Sequence, residues 1–285
     1  MGRLPTKSLD AVARELRRHD NDRYLTALFA PAERRDGLMA LYAFNLEVAK
    51  TAELVSEPML GRIRLQWWRD SLESLYAGAP RQHYVITPLA RVVEAAGLPR
   101  ALFERIIDAR EFDLERRAPR SMAELETYVE GTSSALIELA LAALGEDSGQ
   151  PARMARSVGL AYGLVGLVRA VPSHAAQKRL YIPEDVIAEV GLERRRLFEL
   201  DPPPPLRAAL ERLGARAAQC LQEARALQEK PIARSGLAAL LPGVLAARHL
   251  RDVRKAGYDP FHPDLRQPRP GRLTALLWAY LRGRI

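Results

Sequence analysis

The stretch GLAYGLVGLVRAVPSHAAQKRLYIPEDV, residues 159–186, decides the fold class. Its apolar residues recur at helical spacing, and no alternation of the strand kind interrupts them. Pro172 is expected to end a helix that spans about 151–171. Residues 173–183 then read as a loop and a short helix begins near Pro183. Gly159, Gly163, Gly166 and Ala170 fall at i, i+4, i+7 and i+11, one stripe of small residues along that helix. An interior glycine costs a helix roughly 1 kcal/mol against alanine, so something must offset it. Close helix packing would do so. So would a smooth, roomy wall for an apolar ligand.

The same periodicity extends outward in both directions. Helices are expected at about 6–18 and 22–29, and from Pro31 to about Val55. Ser56, Glu57 and Pro58 start another that ends near Gly78. Two more fall at about 82–96 and 99–116. Ser121 with Glu124 makes a capping box for a helix that runs to Leu144, where Gly145 stops it. Beyond the quoted stretch, helices fit 206–227, 233–255 and 270–283. The Asp201–Pro205 run, DPPPP, reads as a stiff turn between helices. Ala, Leu, Arg and Glu, all strong helix formers, dominate the 285 residues, and 48% of them are hydrophobic. The expectation is an all-α chain, residues 1–285 forming a single domain.

The formal charge of +8 favours anionic partners: a membrane surface, a phosphorylated ligand or nucleic acid. Arg alternates with Glu and Asp along most helices, however, as on a solvated face. No helix-turn-helix and no aromatic-interleaved basic patch stands out, so no nucleic-acid partner is expected. The single cysteine, Cys220, allows no internal disulfide and fits a reducing compartment. The N-terminus has no apolar core of a secretory signal. Gly2 through Thr6 formally fits a myristoylation pattern, one short enough to arise by chance. No run of eighteen apolar residues suggests a bilayer span. The five histidines lack metal-ligand spacing. Gly131-Thr-Ser-Ser-Ala lacks the second glycine and the strand of a nucleophile elbow.

Three segments together resemble the squalene/phytoene synthase family: YAFNLEVAKTAE (42–53), IIDAREFDLE (106–115) and the quoted 159–186 stretch. The resemblance is best over about residues 24–192, with looser C-terminal helices at 206–285. It implies an isoprenoid-synthase-type helical bundle around a central cavity, between the 36–55 and 151–171 helices. In catalytic members, two facing helices carry aspartates at i and i+4, on one face of each. They hold Mg²⁺ against the diphosphates of two prenyl substrates, and the metal assists departure of the leaving group. Here those positions read Ala49 and Lys50, with Glu53 as the remaining acid, and Ala170 and His174 in the second motif. No intact catalytic set and no metal site is therefore expected, and no cofactor. Arg169 and the Arg179–Pro183 run keep the family pattern, as do Asp108, Glu111 and Asp113. The polar residues of the family are replaced at Gly163 and Gly166. Glu47, Lys50, Glu53, Asp113, Tyr162, Arg169, His174, Arg179 and Tyr181 are the candidate ligand-binding residues.

FNLEVAK, the 55–76 string VSEPMLGRIRLQWWRDSLESLY and LVRAVPSHAAQKRLYIPEDV resemble a non-catalytic branch of the family that assists assembly of respiratory complex I. That resemblance implies a pseudoenzyme whose partner is a complex I subunit or assembly intermediate, with a prenyl or lipid-like ligand as a second candidate partner. Two alternatives stay open. One is an active Mg²⁺-dependent head-to-head prenyl synthase working through Glu47, Glu53 and Asp113. The other is an isoprenoid carrier without chemistry. The remnant site is expected to prefer an anion over Mg²⁺, through Lys50, Arg169 and Lys178 or Arg179, with His174 charged below about pH 6.5. Trp67 and Trp68 read as core and cavity rim.

The C-terminal segment PGRLTALLWAYLRGRI places Leu273, Leu276, Leu277, Tyr280 and Leu281 on one stripe, bracketed by Arg272, Arg282 and Arg284. The stripe fits either an anionic membrane surface or the body of the domain. The expected location is cytoplasmic, with a peripheral contact at the inner membrane, on the matrix side in a eukaryote.

Overall fold

The computed structural model describes residues 6–266 and 270–285. Gly2, on which the myristoylation pattern turns, lies outside them. Among the described residues every regular element is helical. The first half comprises α1 (Thr6–His19), α2 (Asn21–Ala27), α3 (Ala32–Ala49), α4 (Pro58–Tyr76), α5 (Ile86–Ala96), α6 (Arg100–Ala109), α7 (Met122–Val129) and α8 (Ala135–Leu144). Then follow α9 (Gly149–Ala176), α10 (Glu184–Val190), α11 (Arg194–Phe198), α12 (Pro205–Ala226), α13 (Arg234–Leu240), α14 (Pro242–Lys255), α15 (Pro263–Arg266) and α16 (Arg272–Arg282).

The long α9 organises the packing. Its N-terminal half gives Met154, Ala155 and Val158 to an apolar core shared with α1, α3, α5, α6 and α8. Its C-terminal half gives Leu164, Val165 and Val168 to a second core with α12 and α14. By length and composition α9 could cross a membrane, but its apolar window is mostly buried against other helices, as befits a core helix. In the first core Phe44 stands edge-on to Trp68 at 5.4 Å and to Phe103 at 5.2 Å. Such aromatic pairs contribute beyond their buried area.

Local signals set several boundaries. The Ser121 side chain accepts from the Glu124 N–H and starts α7. The Glu124 carboxylate reaches back to the Arg120 N–H. Gly145, with φ of 76°, closes α8 in the left-handed region. The helices expected at 31–55 and 99–116 end at Ala49 and Ala109 and pass into 3₁₀ turns, and the one expected at 82–96 starts at Ile86; three further departures shape the packing. The 122–144 helix is interrupted by a π-helical turn at Glu130–Ser134. The 233–255 helix is broken at Leu241–Pro242, where the proline opens a new helix at its first position. And α9 continues through Pro172 to Ala176. Proline removes one backbone donor there, but Val171 and Ala175 on either side are buried, and that burial holds the final turn in place. The continuation matters because it keeps His174 on α9 instead of in a loop.

The glycine stripe has two explanations rather than one. A Cβ on Gly159 would lie 2.4 Å from Ser134 Cα in the π-helical turn, and one on Gly163 would lie 2.4 Å from Val129 Cγ1. Close packing therefore accounts for both. A Cβ on Gly166 would meet nothing within 4 Å, so that position faces open space.

The C-terminal stripe is divided. Leu276 and Ala279 are buried, and the Tyr280 ring lies 5.3 Å from Phe29, so one face of α16 docks on the body. Leu273, Leu277, Trp278 and Leu281 face outward.

Candidate functional site

The end of α3, the turn after it, the Arg110–Leu114 turn after α6 and the end of α9 enclose a cavity of about 240 Å³. Ala49, Lys50 and Glu53 line it from the first motif. His174, Arg179 and Tyr181 line it from the other side, with Arg110, Asp113 and Tyr128 between them. Six of the nine candidate ligand residues thus meet around one space. Three do not line it. Glu47 sits beneath, taken up by Lys50 at 3.6 Å and Arg64 at 3.3 Å. The Tyr162 ring lies under the Arg23 guanidinium, 4.9 Å away. Arg169 turns toward Asp22, 3.7 Å away, with His249 and Arg272 on the same carboxylate. Of the substituted motif positions, Ala170 also falls outside the lining.

Inside the cavity the charges are largely spoken for. Asp113 is buried and accepts from the Tyr181 hydroxyl at 2.6 Å and from Arg110 Nη1 at 3.1 Å. The same Arg110 nitrogen donates to the Tyr128 oxygen at 2.7 Å. Burial, reinforced for Tyr181 by Tyr128 and Asp113, holds both phenols well above the ordinary tyrosine range, so both remain protonated. The Lys50 ammonium is 3.2 Å from Glu15 on α1 as well as 3.6 Å from Glu47. Arg179 donates to the Ala52 carbonyl.

His174 stacks 4.6 Å from the Tyr181 ring. Burial lowers its pKa to about 4, with Asp113 opposing and Arg179 and Arg110 adding to the shift. It is therefore neutral at physiological pH, and the expected gain of charge near pH 6.5 is corrected downward. The anion site expected from Lys50, Arg169 and Lys178 or Arg179 is also not assembled as such: Lys178 is exposed and lies outside the lining. Arg169 points elsewhere and Lys50 is neutralised by two carboxylates.

These donors do not fit a Mg²⁺ cluster. Such a cluster wants several hard oxygen ligands on one side of a cavity. Glu53 is an exposed acid at the rim, and both Asp113 oxygens are already hydrogen-bonded to cationic or phenolic donors. Among the described residues no group of three His, Cys, Asp or Glu side chains could hold a metal ion. Asp108 and Glu111, which keep the family pattern, form a surface network with Arg69 at 2.7 and 2.6 Å.

Sequence reasoning missed Glu15, His19 and Tyr128. Glu15 and His19 come from α1, remote in the chain from every motif, and Tyr128 carries no spacing signal of its own. Trp68 is buried in the core as expected, but neither tryptophan lines the site cavity: both border a separate, open apolar hollow with Leu60, Ile63 and His83, which corrects the reading of a tryptophan at the cavity rim.

The family model of squalene/phytoene synthases matches residues 16–278. The chain is 32% identical over 252 residues to NADH dehydrogenase (ubiquinone) complex I, assembly factor 6 of Rattus norvegicus, covering 88% of this chain and 75% of that protein. It is 31% identical to the Homo sapiens protein of the same name, with the same coverage. It is also 29% identical over 240 residues to the phytoene synthase of Rhodobacter capsulatus, covering 80% of this chain and 68% of that enzyme. Among solved structures, a dehydrosqualene synthase in complex with ligand superposes with a TM-score of 0.82 at 19% identity, over 96% of this chain and 95% of that one. The fold is thus that of the isoprenoid synthases. The matched length and the relatives together establish that the chain belongs to the squalene/phytoene synthase family.

Proposed function

We propose that this chain is a non-catalytic member of its family that acts in the assembly of respiratory complex I, with a subunit or assembly intermediate of that complex as its partner. The observation that carries this reading is the content of the cavity. Where the resemblance implies facing carboxylate pairs, Ala49, Lys50 and His174 line the space, and its one buried acid is locked to Arg110 and Tyr181. Ionising an allylic diphosphate needs a Lewis acid at the leaving group, and this donor set offers no cluster to seat one. The similarity to complex I assembly factor 6 along 88% of the chain supports the positive half of the reading. The proposed location is the cytoplasmic face of the inner membrane, or the matrix side in a mitochondrion.

The loss of catalysis is tested by turnover. Radiolabelled farnesyl or geranylgeranyl diphosphate incubated with the protein and Mg²⁺ is expected to release no pyrophosphate above the protein-free control. Turnover that Glu53→Gln abolishes would place the chain with the synthases and end the non-catalytic reading.

A further inference from the structure

We propose that the outer face of α16 is a contact for a membrane surface carrying anionic lipid. This stands apart from the reading of the cavity, because it uses none of the cavity residues.

The helix is fixed in place. Its inner face docks through Leu276 and Ala279, and Arg272 donates to Asp22 at 2.7 Å. At its far end the Gly283 carbonyl accepts from Gln228 Nε2 at 2.7 Å and from the Ile232 N–H at 2.8 Å. The outward side chains are therefore presented by the folded body rather than by a fraying end. Leu273 is 53% exposed, Leu277 48%, Trp278 58% and Leu281 59%. Leu273, Leu277 and Leu281 are spaced i, i+4 and i+8, so they form one ridge, with Trp278 beside it. A contiguous apolar ridge of this kind on a folded surface marks an interaction site.

Charge selects the occupant. No acidic residue occurs from Leu265 to the C-terminus, and beside Arg272, which is held by Asp22, the cations at the end of the ridge are Arg282 and Arg284. The Arg282 guanidinium lies over the Trp278 ring, 4.1 Å from its centroid. An indole with a cation stacked on it suits the boundary between acyl chains and headgroups, where the ring is buried and the charge stays wet. The basic character continues past the helix. A surface groove of about 220 Å³ between α12 and α14 is lined by Arg225, Arg251 and Arg254 over an apolar floor. It adjoins α16 at both ends: Arg225 reaches the Ile285 carbonyl at 3.4 Å, and Arg248, one turn before Arg251, donates to the Pro270 carbonyl. An apolar ridge flanked by cations and free of acids complements an anionic bilayer, and such a combination gives reversible association rather than anchoring.

The test is co-sedimentation of the full chain with vesicles of phosphatidylcholine alone and of phosphatidylcholine with phosphatidylglycerol, at low and high salt. The wild-type protein is expected to partition onto the anionic vesicles at least about tenfold more strongly than onto the neutral ones, and to be released by salt. Leu277→Gln/Trp278→Gln/Leu281→Gln should lower that partition by about tenfold or more while leaving the thermal melting profile intact, since all three side chains are exposed. Trp278→Phe should remove most of the blue shift in tryptophan emission that vesicles induce. Wild-type protein that stays in the supernatant with anionic vesicles overturns the proposal. So does a triple variant that sediments as well as wild type, which would assign the binding to surface arginines alone. Equal sedimentation with neutral and anionic vesicles would overturn the anionic-lipid assignment.

Discussion

Arg110→Ala is expected to lower the unfolding free energy by about 3–5 kcal/mol, the loss typical of removing one partner from a buried ion pair. The size follows from what Arg110 leaves behind. Its Nη1 satisfies both Asp113 and Tyr128, and Asp113 is almost wholly removed from water. Without the guanidinium the carboxylate keeps one protein donor, the Tyr181 hydroxyl, and loses its paired cation. Urea unfolding followed by circular dichroism measures the effect through the shift in midpoint. The double variant Arg110→Ala/Asp113→Ala should lose clearly less than the sum of the single losses, because the second substitution removes the stranded charge. A single-variant loss below about 1 kcal/mol would mean that the pair behaves like a solvent-screened surface ion pair, and would contradict its assigned weight.

The second large effect is expected at Asp22, where α2, α9, α14 and α16 meet. Its carboxylate accepts from Arg272 at 2.7 Å and faces His249 Nε2 at 2.6 Å, with Arg169 at 3.7 Å. Burial alone would raise its pKa, but the hydrogen bond and charge of His249 with the charges of Arg169 and Arg272 outweigh it, and the carboxyl is held at about 2 instead of 3.8. A carboxylate whose pKa is depressed by folding stabilises the fold above its unfolded pKa, and that contribution disappears as pH falls through the folded value. The depression corresponds to about 2 kcal/mol, present above roughly pH 4 and lost toward pH 2. Asp22→Asn is expected to be less stable than wild type near neutrality, and the gap should close by about this amount on acidification. Unfolding curves at successive pH values read this directly. A gap that stays constant down to pH 2 would contradict the assigned coupling.

Much of the fold was legible in the sequence because its determinants are local. Helical periodicity located most helices, Ser121 with Glu124 set the start of α7, and Gly145 set the end of α8. The departures have tertiary causes. The π-helical turn at 130–134 fits against Gly159, a residue of another helix, and nothing in its own sequence announces it. Pro172 would end an isolated helix, but buried neighbours on both sides carry α9 past it. The site was legible to the extent that it follows motifs. Lys50, Glu53, His174, Arg179 and Tyr181 meet because two motif-bearing segments face each other. What the motifs could not convey is which charges are already satisfied. Lys50 looks like an anion donor until Glu15, thirty-five positions earlier, is seen beside it. Arg169 precedes His174 by five residues, about 140° around the same helix, and it points at Asp22, a partner no motif announces. His174 carries no mark of the burial that keeps it neutral.

We propose that this family member serves complex I without prenyl chemistry. The most direct measurement is NADH:ubiquinone oxidoreductase activity in membranes from a strain of the source organism lacking this chain, complemented in turn by wild type and by Glu53→Gln. A marked loss of activity on deletion and full recovery with both are expected under the non-catalytic reading, in which Glu53 is a lone exposed acid at the rim. Unchanged activity in the deletion strain would contradict the assembly role, and recovery by wild type alone would contradict the absence of chemistry.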